Sequence, residues 1–86
     1  MKYTVKLKCR QPFNNWEETH PLDCEPITLG HKIRQVANSL PYCDIIVTDP
    51  EGRVCCTVRV KAIGFNLFRR REMTLNGNRS YMEASL

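Results

Sequence analysis

Apolar and polar residues alternate along residues 2–9. Tyr3, Val5, Leu7 and Cys9 fall on one side, Lys2, Thr4, Lys6 and Lys8 on the other. Successive side chains of extended backbone point to opposite faces, so a period of two with one apolar side predicts a half-buried strand. The alternation returns at 43–48, where Cys43, Ile45 and Val47 interleave with Asp44, Ile46 and Thr48. It returns again at 53–62, with Val54, Cys56, Val58, Val60 and Ala62 inward and Arg53, Cys55, Thr57, Arg59 and Lys61 outward. Asp49-Pro50-Glu51-Gly52 between them predicts a turn, since proline presets φ and glycine tolerates positive φ. Gly64 marks a bend where the second of these strands ends.

A different period governs residues 28–40. Leu29, Ile33, Val36, Ala37 and Leu40 recur at helical spacing, Thr28 offers an N-cap hydroxyl, and Pro41 stops the helix. The outward side of that helix carries Lys32, Arg34, Gln35 and Asn38. Residues 10–27 follow neither period. Pro12, Pro21, Pro26, two asparagines and a group of acids predict a long irregular connection, pinned to the body by Phe13, Trp16 and Leu22. Near the end of the chain, Asn76-Gly77 predicts a type I′ turn between short strands at 71–75 and 78–83. The expected architecture is α+β: a β-α-β-β order with a C-terminal β-hairpin, and one helix packed on one antiparallel sheet.

With 86 residues, 42% apolar and 26% charged, the chain accommodates a single small domain, 1–86, around one core. No apolar run approaches the ~18–20 residues of a membrane span. The first ten residues lack a signal peptide's apolar stretch, so the expected setting is soluble and cytoplasmic. Five cysteines at 9, 24, 43, 55 and 56 form no paired spacing. The expectation is reduced thiols, with Cys9, Cys43 and Cys56 acting as small core hydrophobes and Cys55 exposed beside cations that lower its thiol pKa.

The net charge of +4 is modest but unevenly placed. Residues 2–10 hold Lys2, Lys6, Lys8 and Arg10 without an acid. Residues 53–71 hold Arg53, Arg59, Lys61, Arg69, Arg70 and Arg71 without an acid, whereas 11–27 hold Glu17, Glu18, Asp23 and Glu25 without a lysine or arginine. If the basic strands share a sheet, Lys6, Lys8, Arg59 and Lys61 project from its open face, where clustered cations attract phosphates or acidic protein surfaces. Three adjacent arginines repel one another unless an anion pairs with them. That anion is either the acidic segment, folded over the basic face, or a partner.

Catalytic signatures are missing: there is no GxGxxG, no GKS or GKT loop, no HExxH and no GxSxG. No cofactor is implied. Cys9, His20, Cys24 and His31 have the chemistry of a tetrahedral zinc site, but their spacing matches no zinc pattern. Glu17 and Glu18 are adjacent, and acid–base catalysis needs carboxylates in contrasting environments across a cleft. An RNA-recognition sheet would carry aromatics where this one carries Thr4, Cys55 and Thr57. Phe65, Phe68 and Tyr81 beside the arginine triplet are candidates for base stacking, with core packing the competing role for the phenylalanines.

These features predict a non-catalytic binding protein. Its anionic partner would be a nucleic acid, or a nucleic-acid-handling protein machine with an acidic surface. Lys6, Lys8, Arg59, Lys61, Arg69, Arg70 and Arg71 would form the interface. By analogy with the small, basic, motif-poor chains that phage and plasmid genomes use, the expected role is that of an inhibitor. The competing expectation is a structural or accessory subunit, zinc-stabilised, without nucleic-acid contact. Partner identity and oligomeric state are not encoded in any motif.

Overall fold

The alternating segment at the start of the chain forms strand β1, Lys2–Gln11, and it lies inside the sheet rather than at its edge. The computed structural model describes residues 1–11, 14–40, 42–63 and 68–82; the side chains of Arg10, Gln11, Asn14, Lys61, Ala62, Ile63, Phe68, Arg69, Arg70 and Met82 fall outside that description. The expected bend at Gly64, the stop at Pro41, the anchoring role of Phe13 and the base-stacking or core-packing role of Phe65 therefore lie outside the described residues.

After β1 come β2 (Asn14–Asp23), a 3-10 turn at Pro26–Thr28, helix α1 (Leu29–Ser39), β3 (Cys43–Thr48), β4 (Val54–Ile63), β5 (Phe68–Leu75) and β6 (Asn78–Met82). The six strands form one sheet in the order β2-β1-β3-β4-β5-β6, antiparallel throughout. Every neighbouring pair is consecutive in sequence except β1 and β3, which meet after the chain has passed through β2 and α1. The α+β architecture, with one helix on an antiparallel sheet, is as the sequence predicts.

The helix covers one face. Leu29, Ile33 and Ala37 of α1 are buried against Tyr3, Val5, Leu7, Ile45, Val47, Cys56, Val58 and Met73. Ile33, Ile45, Val47 and Val58 have no exposed surface, and burying a side chain of this size is worth about 1.5–3 kcal/mol. Val36 and Leu40, at the flanks of the apolar stripe, are half-buried against the same cluster. Gly30 lets the helix start close to β5, since a Cβ there would lie 3.0 Å from Leu75 Cδ2.

Three local expectations are corrected. Residues 14–23 form β2, with Lys2 opposite Asp23 and Gln11 opposite Asn14, where an irregular connection was expected. Pro21 is accommodated because β2 is an edge strand, where a missing N–H breaks no ladder bond if it faces outward. Thr28 does not cap α1 with its side chain; its Oγ1 donates to the Glu25 carbonyl at 3.0 Å and stabilises the 3-10 turn instead. Between β3 and β4 the register shifts at Val47/Thr48, so Cys56 opposes Val47 while Val54 opposes Thr48. Cys55 is the additional residue of this bulge, and Val54 leaves the core side to become 60% exposed.

Both predicted turns are present. Asn76 and Gly77 have φ of 50° and 83°, as a type I′ turn requires, and join Leu75 to its register partner Asn78. In the turn at 49–52 the Gly52 N–H donates to the Asp49 carbonyl at 2.9 Å, and Gly52 has a φ of 83°. The Asp49 carboxylate accepts from the Glu51 and Arg53 amides at 3.0 and 2.9 Å.

Candidate binding face

Cross-strand register decides which charges share the open face. Lys8 of β1 stands opposite Glu17 of β2 on one side and Asp44 of β3 on the other. Arg59 of β4 stands opposite Glu72 of β5, which in turn faces Tyr81 of β6. Read across the sheet, the row runs Glu17, Lys8, Asp44, Arg59, Glu72, Tyr81, alternating in charge sign until the tyrosine. The next row is Thr19, Lys6, Ile46, Thr57, Thr74, Arg79. Directly opposed unlike charges stabilise a sheet, whereas like charges destabilise it.

The structure thus brings Lys6, Lys8 and Arg59 to one face, interleaved with acids. Lys6 Nζ lies 2.8 Å from Glu17 Oε1. This Lys6 contact holds the Glu17 carboxyl below its usual range, with Lys8 adding to the effect. The Asp44 carboxylate accepts the Val60 amide at 3.0 Å, which fixes it between β3 and β4. A depression of about 380 Å³ runs along this part of the face, bordered by Lys8, Asp44, Ile46, Thr57 and Arg59. A second, of about 310 Å³, is bordered by Thr57, Arg59, Glu72, Thr74 and Arg79. Arg79 was missed as a site residue, while the 57% exposed Tyr81, a base-stacking candidate in the sequence, lies at the end of the charged row. The signal that places them is the Asn-Gly turn, which aligns β6 with β5.

The arginine triplet divides. Lys61 is the register partner of Arg70, and Ala62 of Arg69, but the side chains of Lys61, Arg69 and Arg70 lie outside the described residues. Arg71 is on the other face of the sheet and only 5% exposed. Its Nη1 donates to the Ala37 carbonyl at 2.8 Å and its Nη2 to Asn38 Oδ1 at 3.2 Å. The last turn of α1 has no basic residue of its own, and a cation at a helix C-terminus is favoured by the helix dipole. Arg71 therefore belongs to the core side, as a clasp on the helix end, and not to a basic surface.

The candidate zinc ligands are dispersed. Cys9 is buried on β1, His20 stands opposite Val5 and binds Glu18 at 2.8 Å, and His31 on α1 contacts Gln35 at 3.3 Å. Among the described residues no three His, Cys, Asp or Glu side chains are grouped to hold a metal ion. Cys55 is also differently placed from expectation. It is half-buried, its Sγ donates to the Val47 carbonyl at 3.5 Å, and burial, then Asp49, pushes its thiol pKa up instead of down. Among the described residues no helix is long and apolar enough to cross a membrane.

Compared with protein families, curated proteins and solved structures, this chain matches none.

Proposed function

We propose that this chain is a non-catalytic binding protein that docks an anionic protein partner on the open face of its sheet. The observation that carries the reading is the one-sided cover. One eleven-residue helix lies over one face, while the other presents exposed Lys8, Arg59 and Arg79 around shallow depressions. The alternating row favours a protein over a nucleic acid. A phosphate backbone laid along it would meet Asp44 and Glu72 as often as Lys8 and Arg59, and like-charge contact of this kind rejects a partner. An acidic protein surface with its own scattered cations is matched by such a row, charge against charge. Threonines 57 and 74 between the charges supply neutral hydrogen-bonding groups at the centre.

The test is capture of partners from native lysate with and without nuclease, using the full chain and its Lys8→Glu/Arg59→Glu variant. A protein partner retained after nuclease treatment and lost with the variant supports the reading. Loss on nuclease treatment alone points to nucleic acid, and equal capture by the variant removes the open face as the interface.

A further inference from the structure

Cys9 and Cys43 are direct register partners on β1 and β3. Both are buried on the helix side of the sheet, at 3% and 2% exposure. The Cys43 amide donates to the Leu40 carbonyl at 3.2 Å rather than across the ladder to Cys9. Directly opposed residues that do not exchange backbone bonds are the closer kind of antiparallel pair, with Cα atoms about 4.5 Å apart. That separation lies inside the roughly 4.4–6.8 Å window a disulfide requires.

We propose that Cys9 and Cys43 form a reversible cross-strand disulfide when the chain meets a low-molecular-weight disulfide such as oxidised glutathione. The Cys9 thiolate attacks one sulfur of the reagent, giving a mixed disulfide and releasing one glutathione thiolate. That thiolate takes the proton of Cys43, whose sulfur then attacks the Cys9 sulfur and expels the second glutathione. Two protein thiols are oxidised and one small disulfide is reduced to two thiols, so the exchange balances. The order of attack follows from the surroundings. Burial, with Cys9 beside it, pushes the Cys43 thiol up to about 12 and keeps it protonated, so Cys43 is the poorer first nucleophile and reacts in the second, intramolecular step.

The bridge would tie β1 to β3, the one strand junction in the sheet that is not a hairpin. It closes a long loop containing β2 and α1, and cross-linking such a loop constrains the unfolded chain.

The test treats the full folded chain with oxidised glutathione, alkylates the remaining thiols and maps linked peptides by mass spectrometry. The expected product has lost two hydrogens, retains three alkylatable cysteines of the five, and links residues 9 and 43. It melts on the order of 10 °C higher than the reduced chain, and dithiothreitol reverses both changes. The Cys43→Ser variant should stop at one glutathione on Cys9, a product that does not depend on bridge geometry. Absence of a bridge in the wild-type chain, or a bridge mapped to Cys24 and Cys55, overturns the proposal.

Discussion

Arg71 Nη1 donates to the Ala37 carbonyl oxygen at 2.8 Å, so a cation from β5 closes the C-terminal end of α1. Truncating it removes two hydrogen bonds from a buried site and leaves a void beside the helix. Arg71→Ala is expected to lower stability by about 2–4 kcal/mol in urea unfolding. Arg59→Glu, on the open face, is expected to change it by no more than about 1 kcal/mol. Equal effects would contradict the assignment of the two arginines to opposite faces.

Ile33, with no exposed surface, sits at the centre of the helix–sheet contact. Ile33→Ala is expected to cost about 2–5 kcal/mol through the lost burial and the cavity it leaves. The half-buried Val36 should cost less when cut to alanine, and comparing the two unfolding midpoints checks the helix orientation.

The bulge in β4 predicts unequal sensitivity in a segment whose sequence alternates evenly. Val54→Thr should alter stability by less than about 0.5 kcal/mol, because Val54 is already 60% exposed. Val58→Thr, two turns of the pleat further on and fully buried, should cost about 1–3 kcal/mol by placing a hydroxyl in the core. Thermal melts of the two variants distinguish this register from an unbroken one.

Glu17 supplies the pH prediction. Its carboxyl is held below the ordinary range by the hydrogen bond and charge of Lys6. A carboxyl depressed in the folded state favours folding above its unfolded pKa, and that contribution disappears as the pH falls through its folded pKa. In Lys6→Ala the Glu17 titration, followed by its side-chain NMR shift, is expected to move up toward the ordinary carboxylate value. An unchanged titration would show that the pair is not formed in solution.

Strands β1 and β3 and helix α1 were legible because each keeps one period, and β5–β6 because Asn76-Gly77 marks their turn, although β5 begins at Phe68 and not at residue 71. β2 was not. Among its described residues only Trp16 and Leu22, near its ends, pack against the core, while Glu18 and His20 occupy helix-side positions and are exposed. An edge strand beyond the helix's reach has no apolar stripe to read. Its signal was electrostatic: an acidic segment beside a lysine-rich strand, with Glu17 directly opposite Lys8. The outward placement of Lys6, Lys8 and Arg59 followed from alternation alone. Arg71 was also within reach of that rule, since Met73 and Leu75 face the core and a period of two carries Arg71 to the same side. The arginine run obscured it by reading as a unit, although neighbours on a strand cannot share a face. The shift that exposes Val54 lay in the turn geometry and left no mark on the pattern.

The sheet order has a kinetic consequence. β1 with β2 is one hairpin, and β3 through β6 is a meander, so both pieces draw on contacts close in sequence. Joining β1 to β3 is the single long-range pairing, and loop-closure entropy must be met there before the contacts return it. Docking of α1 and closure of this junction therefore form the slow, cooperative event. Substitutions at Leu7 or Ile45, which oppose each other across it, should slow refolding, whereas changes in the 76–77 turn should act mainly on a piece that assembles early.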